Sequence, residues 1–146
     1  KRFFDVGRGG HGHVFPMELG YIKPGMFVGA YDIHVTNYGA VGCLGIPVVT
    51  EVSELLACGS VWMRVPHTIR VNLSGTLARG TTMRDVGQKL IADLDVDVVD
   101  YGVVEYGGPA LADIDFAGRQ VVCGFLPARP FHAVSDARAA VTCDSR

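Results

Sequence analysis

Closely spaced cysteines are missing from this sequence. Its four cysteines, Cys43, Cys58, Cys123 and Cys143, lie far apart, and none forms a C-x-x-C pair. Zinc ribbons and small disulfide frameworks depend on paired cysteines at short spacings, so the sequence favours neither. The pattern is typical of reduced thiols, and it predicts a cytoplasmic protein without a structural metal site.

Long apolar runs and an excess of one charge are also missing. No apolar stretch approaches the ~20 residues that a membrane-spanning helix needs, and no signal-peptide pattern opens the chain. The formal net charge of −2 provides no electrostatic footprint for nucleic acid or for an anionic membrane. We therefore expect a small-molecule substrate, with neither nucleic acid nor a membrane as a partner.

The composition is that of a globular protein. Of the 146 residues, 49% are hydrophobic and 19% are charged, so the chain can bury a real core. It contains no internal repeat, no low-complexity segment and no linker that would divide it. We expect a single domain over residues 1–146.

The stretch from Pro24 to Gly45 places two chemically active side chains next to each other. Phe27–Tyr31 is a short apolar run after a Pro-Gly turn and predicts a buried strand, which delivers Asp32 and His34 to its end. If the strand continues, these two side chains point the same way, and they can perform acid–base chemistry. Alternatively, Asp32 caps the following helix and His34 is an ordinary buried histidine.

A glycine-rich segment, Gly7–Val14, supplies two further histidines, His11 and His13. Their spacing is compatible with a proton donor or with metal ligands, but surface histidines beside glycines are also common. Because no third ligand lies at a characteristic spacing, we expect no metal here. The segment is not a dinucleotide-binding fingerprint, since Pro16 and Gly20 interrupt any following helix.

Alternating helical and strand patterns predict an α/β fold in which helices flank a mixed sheet. The strongest helix is Thr82–Leu94, which opens with a Thr82/Asp85 capping-box pattern and carries an apolar stripe made of Met83, Val86, Leu90, Ile91 and Leu94. The other expected helices are Pro47–Cys58, a short one around Ala110–Ile114, and a last turn or two over Ser135–Ala140. The expected strands are Ser60–Val65, Thr68–Leu73, Val96–Tyr106 and Arg119–Leu126, although the last of these also fits a helix.

From about Gly9 to Val122 the chain resembles the aconitase superfamily, specifically an internal part of the 3-isopropylmalate dehydratase large subunit. The matches occur in one order along most of the chain, which makes the resemblance specific. They are Gly10-His11-Gly12-His13-Val14, Pro24-Gly25-Met26, Asp32-Ile33-His34, Tyr38-Gly39-Ala40-Val41-Gly42, Trp62–Val71, Gly80–Val86 and Val104–Pro109. The resemblance implies an aconitase-like α/β domain that is truncated relative to the family.

The departures from the family concern its cofactor and substrate. The family's Asp-Ser-His-Thr signature is here Asp32-Ile33-His34-Val35, so Ile33 cannot hold a substrate carboxylate as the serine does. The family's Cys-Asn-Met-x-x-Glu segment is here Cys123-Gly124-Phe125-Leu126-Pro127-Ala128, which lacks the asparagine and the glutamate. The cysteines that bind the family's four-iron four-sulfur cluster lie further along its chain. We therefore expect no cofactor.

The retained polar residues favour an enzyme that works by proton transfer. His34 is expected to be the acid or base, Asp32 its partner, and His13 a second proton donor. The expected activity is a cluster-free dehydration, isomerisation or cyclisation of a hydrophobic carbonyl or hydroxy-acid substrate in an apolar pocket. The expected substrate-binding residues are Tyr31, Ile33, Val35, Tyr38, His11 and Arg8.

A non-catalytic role is the alternative. In that case the chain is a remnant or a subunit that binds the missing part of a larger aconitase-like hydro-lyase, or simply a fragment of one. Faces that contact other domains in the family also have to be covered, so we expect a homo-oligomer, most simply a dimer. The residues expected at its interface are Phe3, Phe4, Phe125, Leu126 and Phe131.

Overall fold

Short strands and helices alternate along a computed structural model of the chain, which describes residues 2–94, 101–124 and 132–135. The helices are α1 (Phe15–Glu18), η1 (Ile33–Val41, 3-10), α2 (Val52–Cys58), α3 (Met83–Asp93), η2 (Pro109–Asp113, 3-10) and α4 (Phe116–Gly124). The strands are β1 (Phe27–Ala30), β2 (Leu44–Pro47), β3 (Thr68–Asn72), β4 (Val103–Gly107) and β5 (His132–Ser135). None of the helices in these ranges is long and apolar enough to cross a membrane.

The strands form two small sheets, and every strand pairing in the described ranges is parallel. β1 pairs with β2, with Phe27 opposite Leu44, and the second sheet has the order β3-β4-β5. The α/β class is thus confirmed, whereas the expected single mixed sheet is wrong for the described part. The reason is connectivity. A helical segment between two paired strands returns the chain to the end of the sheet where the first strand began, so the second strand runs in the same direction.

The main core surrounds β4. Val104 and Tyr106 are fully buried and pack with Leu111, Val122 and Cys123 from η2 and α4. Helix α3 covers this cluster with the stripe that its periodicity predicted, made of Met83, Val86, Leu90 and Leu94. Ile91, which was expected in the same stripe, is instead exposed. A second cluster, made of Met17, Val35, Tyr38 and Cys43, packs around η1.

The segment expected as a strand from Arg119 to Leu126 is helix α4 as far as Gly124. The Asp115 carboxylate accepts the N–H of Gly118 at 2.7 Å, which satisfies a free donor at the helix start. The buried Arg119 then donates from Nε to the Ile114 carbonyl at 3.0 Å and from Nη2 to the Leu111 carbonyl at 3.1 Å. These capping contacts favour a helix over the strand that the valines of this segment suggest.

The remaining boundaries differ in detail. Pro47 ends β2, so α2 begins only at Val52, and Gly59 ends α2 in a left-handed conformation. Residues 60–65 form no strand, whereas Thr68–Asn72 does. Ser135 belongs to β5, and the rest of the helix expected there lies outside the described residues, as do residues 95–100 of the expected Val96–Tyr106 strand.

Helix α3 begins with the predicted capping arrangement, and we expect its loss to be measurable. The Thr82 amide and hydroxyl both donate to the Asp85 carboxylate at 2.8 Å, which lowers the pKa of Asp85. Thr82→Ala is expected to lower the melting temperature by a few degrees, while Thr82→Ser retains the wild-type value. Because the pKa of Asp85 is lower in the folded state, this difference is present at neutral pH and shrinks as the pH falls through that pKa.

Equal melting temperatures for Thr82→Ala and wild type at neutral pH would contradict this account of the helix start. Thermal denaturation followed by circular dichroism at neutral and acidic pH measures both parts of the prediction.

Candidate acid–base site

Asp32 lies at the junction between β1 and η1. Its backbone is extended, with φ −144° and ψ 144°, and its carboxylate accepts the backbone N–H of His34 at 3.0 Å. This is the geometry of a helix N-cap, in which a short polar side chain satisfies a free amide of the first turn. The capping alternative considered for Asp32 is therefore correct.

His34 contacts the same carboxylate through its side chain. Its ring Nδ1 lies 2.7 Å from Asp32 Oδ1, so the backbone and the ring of His34 share one oxygen. The two side chains meet because η1 turns the chain, not because they alternate along a strand, since β1 ends at Ala30. His34 is about half exposed, with a side-chain exposure of 54%, so it is not an ordinary buried histidine.

His13 approaches Asp32 from the opposite side. The glycine-rich segment places its Nε2 3.2 Å from Asp32 Oδ2, and its ring centroid is 5.9 Å from that of His34. The other ring nitrogen, Nδ1, is buried without a hydrogen-bond partner in the described part of the chain. A neutral ring protonated on Nε2 fits this environment, because the N–H then points at the carboxylate.

Two more of the predicted residues support His13. The backbone N–H of His13 donates to Nδ1 of His11 at 3.3 Å, and the two rings are 5.7 Å apart. Tyr38 is buried with its ring 6.2 Å from that of His13, and its hydroxyl donates to the Gly12 carbonyl at 3.5 Å. His11 and Tyr38 thus contact the loop that carries His13.

The carboxylate at the centre is strongly acidic. The backbone N–H of His34, followed by its ring, lowers the pKa of Asp32 to about 2. Asp32 is therefore ionised throughout the neutral pH range and acts as an acceptor, not as a proton donor. Burial raises the pKa of Tyr38, which stays a neutral phenol.

The other predicted substrate contacts lie in different environments. Val35 is fully buried in the second core cluster and cannot line a site. Tyr31 is 67% exposed, and Ile33 is also exposed. Arg8 lies exposed in a turn that is closed by a hydrogen bond from its own backbone N–H to the Asp5 carbonyl. The 3-10 turns thus direct Ile33 and Val35 to different environments, and the apolar pocket expected around the acid–base residues stays a prediction.

An apolar cavity exists elsewhere, and the sequence reasoning did not assign it. It has a volume of about 700 Å³ and lies between β1, β2, α2 and the segment before β3. Its lining includes Phe27, Leu55, Trp62, Arg64 and Tyr101, with the Arg64 guanidinium 5.1 Å from the Tyr101 ring centroid. The run of apolar residues around the single tryptophan was the signal that could have identified this surface.

The comparison with known proteins gives one family. Residues 1–127 match the Aconitase family (aconitate hydratase), which is most of the chain. The chain belongs to the aconitase family. The predicted resemblance is thereby confirmed, and so is the aconitase-like α/β class.

Individual relatives agree with this assignment. The chain is 37% identical over 124 residues to the 3-isopropylmalate dehydratase large subunit of Citrifermentans bemidjiense, covering 84% of the chain and 29% of that protein. It is 41% identical over 108 residues to the mitochondrial homoaconitase of Aspergillus oryzae, covering 73% of the chain and 14% of that protein. The chain therefore spans less than a third of the length of these aconitase-family relatives.

The cysteines of this aconitase-family chain do not fit an iron–sulfur cluster in the described ranges. Cys43 and Cys123 are fully buried in separate core clusters, whereas Cys58 is exposed. Within residues 2–94, 101–124 and 132–135, one group of His, Cys, Asp or Glu side chains is compact enough to hold a metal. This group contains no cysteine. Iron–sulfur clusters require several thiolates converging on one point. The described cysteines therefore do not offer a site for such a cluster.

Differences in burial predict different thiol reactivities. Burial raises the pKa of Cys43 to about 11 and that of Cys123 to about 12, so neither forms the reactive thiolate at neutral pH. Iodoacetamide treatment of the folded protein is expected to modify Cys58 and to leave Cys43 and Cys123 unmodified, as measured by peptide mass spectrometry. Denatured protein, in which all of these thiols react, is the control. Rapid modification of Cys123 in the folded state would contradict its placement in the core.

Proposed function

We propose that this chain carries the acid–base residues of an aconitase-type dehydratase. The observation that supports the proposal most directly is the arrangement at Asp32, whose two oxygens contact His34 and His13 while the His34 ring is half exposed. An ionised carboxylate behind an accessible imidazole orients the ring for proton transfer. Nε2 of His34 is then the nitrogen left to face a substrate.

The proposed reaction is the removal of water from a hydroxy acid. Nε2 of His34 takes the proton from the carbon beside the carboxyl or carbonyl group, and the electrons of that C–H bond form the new C=C bond. The hydroxyl group on the neighbouring carbon departs with the electron pair of its own C–O bond and takes the proton from the His34 imidazolium, so that it leaves as water. Isomerisation or ring closure uses the same first proton transfer.

The roles of the neighbouring residues follow from their contacts. Asp32 stays ionised and holds His34 in place, and His13 is proposed to hold the second oxygen of Asp32 in addition to its expected part as a proton donor. Ile33 replaces the hydroxyl group of the family signature with an exposed apolar side chain beside the site. This replacement supports a substrate less polar than a dicarboxylate, and the proposed reaction uses no iron–sulfur cluster.

The experiment is an assay of the purified chain with a panel of hydroxy acids whose hydroxyl group is on the carbon next to the one that bears the carboxyl group, and which differ in side-chain polarity, including 3-isopropylmalate. Formation of the unsaturated acid is followed by ultraviolet absorbance, and iron and sulfide are measured on the same sample. Turnover by iron-free protein, fastest for an apolar side chain, is the expected result. Turnover that requires added iron and sulfide would overturn the cluster-free part of the proposal.

A second candidate is a subunit that completes a larger hydro-lyase. Exposed apolar side chains favour it, because Trp62 is 81% exposed and Phe27 and Tyr31 are also largely exposed. Such surface requires a cover, which a second copy of the chain or a companion chain can supply. Sedimentation and an activity assay with and without a companion chain separate these cases. A homodimer supports the first candidate, and activity that appears only with a companion chain supports the second.

The expected dimer interface is described only in part. Phe3 is almost fully exposed, which suits an interface, whereas Phe4 packs on Phe15 at a ring-centroid distance of 4.8 Å. Phe125, Leu126 and Phe131 lie outside the described residues. The homodimer and the cytoplasmic location stay predictions.

A further inference from the structure

The three polar side chains of the acid–base site also form a compact set of metal ligands. His13, Asp32 and His34 each offer one ligand atom, and these atoms all lie within 4.8 Å of one another. The carboxylate lies between the two imidazoles, 3.2 Å from one ring nitrogen and 2.7 Å from the other. Zinc requires nitrogen and oxygen ligands at ~2.0–2.2 Å from the ion. Small rotations of the three side chains would place their ligand atoms at that distance from one common ion.

The chemistry of the donors indicates the class of ion. Two imidazole nitrogens and one carboxylate oxygen suit zinc and other divalent transition metals, whereas calcium and magnesium prefer an all-oxygen set. Three protein ligands leave a coordination position open. Asp32 and His34 are about half exposed, so this open side faces solvent, as in metal sites that bind water or a substrate.

We propose that His13, Asp32 and His34 bind one divalent transition-metal ion of the class that Zn²⁺ represents. The sequence predicts no metal here, because the ligands are separated by 19 and by 2 positions, a spacing that no short motif describes. Glycine-rich backbone around His13 and the 3-10 turn at Asp32 bring the three side chains together only in the folded chain.

Metal binding releases no proton from the His13 and His34 rings when both rings are neutral. His34 offers the lone pair of Nδ1 when its proton resides on Nε2, which faces solvent. His13 offers the lone pair of Nε2 when its proton resides on Nδ1, which lacks a partner among the described residues with or without metal. The ion replaces the hydrogen bonds of both rings to Asp32. Metal binding and proton transfer by His34 are therefore alternative uses of one site.

The test is a titration of the untagged, chelator-treated protein with Zn²⁺ by calorimetry and with Co²⁺ by visible absorbance. A Cys58→Ser background removes the exposed thiol as a competing ligand. We expect one equivalent to bind, and we expect His13→Gln and His34→Gln each to weaken the affinity by at least about tenfold. Both variants leave the Asp32 cap intact, because His34 donates to it from its backbone. His67→Gln, which changes an exposed histidine outside the site, is the matched control and should bind like the parent protein.

Equal affinities in the parent protein, His13→Gln and His34→Gln would overturn the proposal, and so would the absence of any binding. A loss of affinity in His67→Gln as large as in the site variants would also count against it. Thermal melting verifies that each variant is folded. The titration contains no substrate, so its outcome is independent of the dehydratase proposal, which substrate turnover tests.

Discussion

Replacing His34 by alanine is expected to lower the turnover number for the dehydration substrate by about 10²- to 10⁴-fold, the range that a general acid or base contributes. The imidazole is the one group of the site that combines an exposed ring with a direct bond to the ionised Asp32. The melting temperature should stay within a few degrees of wild type, because the backbone N–H of residue 34 still donates to Asp32. Steady-state kinetics and thermal denaturation measure the two effects.

His67→Ala is the control for this prediction, since it removes an exposed histidine from a different part of the fold. Its turnover should equal that of wild type. Undiminished activity of His34→Ala would remove His34 from the mechanism and would favour the subunit alternative. The pKa of Asp32, about 2, predicts that Asp32 does not produce the pH dependence of turnover near neutrality.

Gly45→Ala is expected to destabilise the fold by about 1–3 kcal/mol or more, through overpacking at a site that cannot relax. A β-carbon at residue 45 would clash with the carbonyl oxygen of Val35 and would lie 2.9 Å from its carbonyl carbon. These are backbone atoms of η1, so the clash cannot be relieved by a side-chain rotation. Because η1 carries His34 and is capped by Asp32, we also expect turnover to fall.

Gly12→Ala is the matched control for this substitution. A β-carbon at Gly12 meets no atom within 4 Å, so the stability should change little. Urea denaturation with a constant slope measures the difference in the free energy of unfolding. Equal midpoints for Gly45→Ala and wild type would show that β2 and η1 do not pack as closely as the structure indicates.

The sequence predicted elements that depend on local periodicity and capping. Helix α3 was predicted within one residue at each end, because its capping box and apolar stripe are local signals. For α4 the sequence left a strand and a helix both open, since the bonds from Arg119 to the Leu111 and Ile114 carbonyls, which favour the helix, belong to the packed fold. The sequence also did not predict the strand directions, because they depend on which strands pair with each other.

For the site, the sequence alone determined the residue types and the family. The Asp32-Ile33-His34 signature, the glycine-rich segment with His13 and the order of the other motifs were sufficient to identify an aconitase relative. Only the tertiary structure decided how these residues are used. It placed the two imidazoles on opposite oxygens of Asp32, buried Val35, exposed Ile33 and left the site open to solvent. The physical reason is that the contact between His13 and Asp32 joins residues distant in sequence, and that the geometry of the site is set by packing of η1 against β2 and the glycine-rich loop.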